Sequence, residues 1–146
     1  MSFASGQKLT PARLNALQPA TYAAVATATL TLGTSLADVV GAAITLTTIG
    51  ANAVYIAEGT FDVNVATASA GILAEGHLDV DGADQTSRAL KQMNAVDRAT
   101  ISQQWRGILT AAGSHTIKLR GLRGASGAAS IVTTHTTLQV VVYEVV

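Results

Sequence analysis

The sequence predicts an all-β protein: a jelly-roll β-sandwich of about eight antiparallel strands, preceded by a short N-terminal helix. Three observations predict it. From about Ala24 onward apolar and polar residues alternate with a period of two, the period of a half-buried strand. The alternating runs are short and divided by Gly, Asn and Asp-Gly turns, as in sandwiches and barrels. The only helix signature lies before residue 20. Residues 1–23 therefore read as an N-terminal segment and residues 24–146 as one sandwich domain.

In chain order, Thr10 is an N-cap candidate with Pro11 at the first helical position, and Pro19 closes the run. Leu9, Leu14 and Leu17 fall near one face of that helix. Two helical turns do not hold together alone in water, so this element must dock on its own domain or on a neighbour. Residues 28–32 alternate before Gly33, and residues 43–47 alternate before the turn Gly50-Ala51-Asn52. Residues 54–66 read as a long strand. Tyr55, Phe61, Val63 and Val65 share one parity, Glu58, Thr60, Asp62 and Asn64 the other, and Gly59 suggests a bulge. Residues 72–80 follow, ending in Asp81-Gly82, and the polar run 84–87 leads into an element centred on residues 88–93. Residues 98–110 set Ile101, Trp105 and Leu109 against Arg98, Thr100, Ser102, Gln104 and Arg106, which places the single tryptophan in the core. Residues 116–122 set Ile117 and Leu119 against Thr116, Lys118 and Arg120. Gly121, Gly124 and Gly127 mark a loop, and the last strand runs over residues 131–146.

Composition narrows the function. Nine basic and nine acidic side chains cancel, which argues against a nucleic-acid binder and against a polybasic membrane-surface protein. With 49% hydrophobic residues a disordered chain is excluded. Only 12% of residues are charged, against ~25% in ordinary soluble domains. A domain of this size has too much surface to cover with so few charges. With 27 Ala and 19 Thr, the remaining surface is expected to be uncharged polar and partly buried against other chains. Residues 14–37 and 39–57 carry no charge, but Pro19, Gly33, Gly41, Gly50 and many Thr interrupt them, so no membrane insertion is expected. The opening residues 1–8 lack the pattern of a secretory leader. Charge is also segregated along the chain. Residues 38–84 hold seven acids and no Lys or Arg, while residues 85–123 hold seven bases against Asp97 alone. Such blocks pair across strands or across subunit contacts.

The last strand carries a second argument for assembly. In Leu138-Gln139-Val140-Val141-Val142-Tyr143-Glu144-Val145-Val146 both parities are largely apolar. An antiparallel sheet normally wets one face, so this strand needs cover twice. A trimer interface formed by Val140, Val141, Val142, Tyr143, Val145 and Val146 is the expectation, with the face left open; cover by a loop or by the N-terminal helix is the alternative.

Motifs for chemistry are sparse. Glu75, His77, Asp79 and Asp81 share one strand parity, and several oxygens on one face suit a hard cation such as calcium. Their spacing does not match an EF-hand loop, and a solvated face ending in an Asp-Gly turn is the competing reading, so no metal is assigned. His77, His115 and His135 are isolated from one another. Gly124-Ala125-Ser126-Gly127-Ala128 resembles part of a nucleophile elbow but fails its spacing. No phosphate-binding loop is present, and there is no cysteine. No enzyme activity and no cofactor are expected. An enzyme acting on polysaccharide through Asp79, Asp81 or Glu75 is the weaker competitor.

Two parts of the chain carry a resemblance. The opening, from Phe3 and Gly6 through Leu9-Thr10 to Leu14-Asn15, resembles the N-terminal segment of small virion proteins of tailed bacteriophages. The stretches Trp105 to Leu119 and Thr137 to Glu144 are similar to the closing strands of tumour-necrosis-factor-like trimeric jelly rolls. The resemblance implies a structural, non-enzymatic virion protein, assembled in the host cytoplasm as a homotrimer. Leu9, Leu14 and Leu17 would anchor it to other virion proteins of the tail or capsid. A host-surface glycan- or receptor-binding module at a fibre tip, using the loops at residues 81–85 and 121–130, is the alternative, and a cellular adhesin-like trimer is a further one.

Overall fold

The computed structural model describes Pro11, residues 18–124 and residues 126–145. Leu9, Leu14 and Leu17, with the helix assigned to them, lie outside the described residues, as does Val146.

Among the described residues the chain forms ten strands: β1 (Ala20–Val25), β2 (Leu30–Thr31), β3 (Ala37–Thr48), β4 (Ala53–Thr67), β5 (Leu73–Val80), β6 (Ala83–Asp84), β7 (Ala89–Gln92), β8 (Asp97–Leu109), β9 (Gly113–Arg123) and β10 (Ala128–Tyr143). β2 and β6 are two residues each, which leaves the eight principal strands of a jelly roll. One sheet is ordered β1-β10-β4-β8, with β2 also pairing β10. The other is ordered β3-β9-β5-β6, with β7 also pairing β5, and every pairing is antiparallel. From β3 to β5 and again from β7 to β10 successive strands alternate between the sheets, and this winding sets the first strand beside the last. β1 begins at Ala20, inside the stretch read from sequence as the N-terminal segment.

The period of two explains why these sheets stack. Tyr55, Phe61, Val63 and Val65 of β4, Trp105 and Leu109 of β8, and Leu138, Val140 and Val142 of β10 point inward. They meet Ile44 and Leu46 of β3, Leu78 of β5, and Ile117 and Leu119 of β9. Burial of these side chains drives the two layers together. Trp105 is in this core as expected, and its indole Nε1 donates to the Ser87 carbonyl at 2.7 Å, pinning the segment before β7.

Gly59 makes no bulge. Its neighbours pair in unbroken register with both β8 and β10. Its role is space: a Cβ there would stand 2.8 Å from Leu119 and 2.9 Å from Trp105. The irregularities fall elsewhere, in β3 between Asp38 and Ala43 and in β10 between Ala128 and Ala129 and between Val132 and Thr137. In β10, Val132 pairs with Asp62 and Thr137 with Thr60, so residues 133–136 loop out of the ladder. Thr136 Oγ1 accepts the Asp62 N–H at 3.0 Å and donates to the Val132 carbonyl at 2.6 Å.

The looped-out residues bury Asp62, which alternation alone places outside. Arg98 answers the buried carboxylate with a two-point contact, Nε to Oδ1 at 2.8 Å and Nη2 to Oδ2 at 2.6 Å. The hydrogen bond from Arg98 holds the Asp62 pKa below the usual carboxylate value despite burial. Asp62→Ala is expected to lower stability by about 1–2 kcal/mol, read as a fall in the urea midpoint at neutral pH. Because the folded-state pKa is depressed, this contribution is present above the ordinary aspartate range and fades as pH falls through the lowered value.

Candidate functional site

The two outer faces of the sandwich differ in kind. On the first sheet four cross-strand rows run in register over its outer face: Tyr143, Val54 and Ile108; Thr21, Val141, Ile56 and Arg106; Ala23, Gln139, Glu58 and Gln104; Val25, Thr137, Thr60 and Ser102. Glu58 and Arg106 are the only charges in these rows. Most of the large apolar members lie at one end, where Ile108 is 58% and Tyr143 43% exposed and a shallow depression opens between Val54, Arg106, Gly107 and Ile108, while Val25, 57% exposed, stands at the other. These four rows are regular and weakly charged, and beyond them the same face carries the Asp62–Arg98 pair.

The second sheet presents the opposite chemistry. Arg120 of β9 sits between three carboxylates: Asp38 of β3, Asp84 of β6 and the buried Asp79 of β5. Its Nη1 donates to Asp84 at 2.9 and 3.0 Å and stands 3.6 Å from Asp79, while Nη2 donates to the Leu36 carbonyl at 3.3 Å. Arg120 Nε is buried and lies 3.0 Å from Asp38 Oδ1, but the angle is too poor for a hydrogen bond, so this contact is Coulombic. Lys118 Nζ donates to Asp38 at 2.7 Å, and this hydrogen bond, with the two cationic charges, lowers the Asp38 pKa against the effect of burial. Arg88 donates to Glu75 at 2.8 Å, and His77 Nε2 lies 3.1 Å from the same carboxylate oxygen.

The acidic and basic blocks of the sequence thus meet across strands, in the Asp38–Lys118, Asp84–Arg120, Glu75–Arg88 and Asp62–Arg98 pairs. Glu75, His77 and Asp79 do share the outer face of β5, as their parity requires. Asp79 is nevertheless buried, and its Oδ1 accepts the Gly82 N–H at 3.0 Å. Among the described residues no three His, Asp or Glu side chains are grouped so as to hold a metal ion. Asp81 faces away from the stripe, toward His115.

The residues singled out on the last strand divide by parity. Val140 and Val142 are spent on the chain's own core. Val141 and Tyr143 lie on the outer face of the first sheet, and Val145 follows the strand, half exposed. Of the two faces left open by the sequence, the one carrying Val141 and Tyr143 is available to a partner. The loops at residues 81–85 and 121–130 do not form one surface. Asp81 lies at the end of the sandwich where β9 begins, whereas Gly121 and Gly124 lie toward the other end. His135 is exposed on the looped-out part of β10. The contacts missed by sequence reasoning, Asp62 with Arg98 and Asp81 with His115, join residues 36 and 34 positions apart. The register of β4 with β8 and of β5 with β9 brings them together, and neither leaves a local signal.

No protein-family model and no curated protein matches the chain. Solved structures do resemble it. Murine APRIL is 12% identical, with 85% of this chain and 98% of that chain covered at a TM-score of 0.49. Eiger TNF from S. frugiperda is 9% identical, covering 88% and 94% at 0.42. The infectious bursal disease virus VP2 subviral particle is 10% identical, covering 88% of this chain and 38% of that chain at 0.45. These are likenesses of fold. The jelly-roll assignment itself rests on the strand order of the two sheets.

Proposed function

We propose that the chain is a structural, non-enzymatic virion protein of a tailed phage: a homotrimer attached through its N-terminal segment to the tail or capsid, with the sandwich projecting outward. The observation that carries the assembly is the outer face of the first sheet, where four in-register rows hold only Glu58 and Arg106 as charges. Chain polarity supports the attachment. Ala20 pairs with Val142, so β1 starts at the end where β10 finishes, and Gly127 stands at the opposite end, before β10. The phage assignment draws on the resemblance of the segment from Phe3 to Asn15. In this reading Leu9, Leu14 and Leu17 face the particle, while Val141, Tyr143 and Ile56 face neighbouring subunits.

Light scattering of the full chain over a dilution series is expected to return a stable mass near three times 14.9 kDa. Val141→Asp places a carboxylate on the contact face and should yield a folded monomer. Val142→Asp is a different experiment, because it buries an unpaired charge in the core and should unfold the chain. A concentration-independent monomer from the unaltered chain, or an intact trimer from Val141→Asp, would sink the assembly. Deleting residues 1–17 should leave the trimer intact and abolish its incorporation into particles; incorporation without them would reject the anchoring role.

A further inference from the structure

The end of the sandwich that carries the start of β1 and the finish of β10 is knitted by one histidine. His115, at the start of β9, is buried, with Nδ1 2.6 Å from Asp81 Oδ2 and Nε2 3.0 Å from the Ala111 carbonyl oxygen. A carbonyl oxygen only accepts, and an ionised carboxylate only accepts. Both ring nitrogens must therefore carry hydrogen for both contacts to be hydrogen bonds, which makes the ring an imidazolium. In the neutral ring one nitrogen lone pair would point at an oxygen.

The partners belong to different segments. Asp81 occupies the turn after β5 with φ of 54°, and its Oδ1 accepts the Thr116 N–H at 2.8 Å while its own N–H donates to the Thr116 carbonyl at 2.9 Å. Ala111 lies in the turn between β8 and β9, and its carbonyl also accepts from Thr48 Oγ1, at the end of β3, at 3.2 Å. The charged groups facing the ring are Asp81 and, from the segment after β10, Glu144, whose carboxylate accepts the N–H groups of Ile49 and Gly50. Leu46, opposite His115 on β3, brings no charge.

We propose that His115 is a proton-operated clamp: doubly protonated, it ties the Asp81 turn to the Ala111 turn at the end where β1 starts and β10 finishes, and loss of one proton releases that end. The electrostatics agree with the geometry. The hydrogen bond to Asp81 raises the His115 pKa above the ordinary imidazole value, against the opposing effect of burial. Burial works against ionisation of Asp81, but the hydrogen bonds from His115 and Thr116 together outweigh it and lower its pKa. The signs set the window. The histidine contribution is complete below the ordinary imidazole pKa and disappears as pH rises through the raised folded-state value. The aspartate contribution is present above the ordinary carboxylate range and disappears as pH falls through the lowered one.

The test is nitrogen-15 NMR of the full chain, followed from about pH 5 to about pH 9, the range in which imidazoles titrate. At neutral pH both His115 ring nitrogens should resonate as imidazolium. As the ring loses its proton, amide exchange at Asp81 and Thr116 should accelerate about tenfold more than at Leu78 and Leu119 in the same sheet. Asp81→Asn keeps a residue that tolerates the left-handed conformation while removing the charge, and should lower the His115 midpoint by about one pH unit or more. An unprotonated His115 nitrogen at neutral pH overturns the proposal, and so does ring titration that leaves the exchange ratio unmoved.

Discussion

Phe61→Ala is expected to remove about 3–5 kcal/mol of stability, the largest effect of any single core truncation in this chain. The ring is fully buried and reaches from β4 in the first sheet to the backbone of Gly76 on β5 in the second. A Cβ at Gly76 would lie 2.6 Å from Phe61 Cε2 and Cζ, so the ring fills the slot that the missing side chain leaves. The walls of that slot are hydrogen-bonded sheets, which cannot collapse around a void as a loose helix pair can. Equilibrium unfolding in urea reads the loss directly. Gly76→Ala alone should destabilise by about 1–3 kcal/mol, because it crowds the ring. In the double variant the new methyl enters the space the ring has left, so the two losses should sum to more than the measured one. Strict additivity would show that the two positions do not share the slot.

Arg120→Leu is expected to lower stability by about 2–4 kcal/mol, below the full penalty for a broken buried ion pair because the guanidinium is partly solvated. Its removal leaves Asp38, Asp79 and Asp84 facing one another without their shared cation. Asp79 dominates the loss, since it is 2% exposed and water cannot take the place of Arg120. Asp38 and Asp84 stand closer to solvent and contribute less. Adding Asp79→Asn should restore part of the loss, because the amide oxygen still accepts the Gly82 N–H while the buried charge is gone. Unfolding measured over a range of acid pH supplies the sign. The Asp38 pKa is held down by Lys118 and Arg120, so its contribution to the intact chain fades as pH falls through the lowered value, and the gap between intact and variant chains should narrow. An Arg120→Leu chain as stable as the original would show that the cluster is solvated.

The alternation of Tyr55, Phe61, Val63 and Val65, of Trp105 with Leu109, and of Ile117 with Leu119 determined the fold class and the inward face of each strand. This follows because a strand sends successive side chains to opposite faces, so one parity must enter the core. The two-faced last strand was legible in the same way, as a surface needing cover on both sides. The sequence also contained the acidic and basic blocks that meet on the two sheets, though not which acid meets which base.

The tertiary structure decided everything that depends on register and on departures from it. It assigned Val140 and Val142 to the core and Val141 and Tyr143 to the outside, because β10 lies between β1 and β4 in a register that neighbouring residues do not encode. It buried Asp62 under a bulge that alternation places nowhere, and it brought His115 to Asp81 through the pairing of β5 with β9. Local periodicity acts over a few residues and selects a face. Partners across a sheet are selected by the whole winding of the chain, where one extra residue in a strand exchanges every face beyond it.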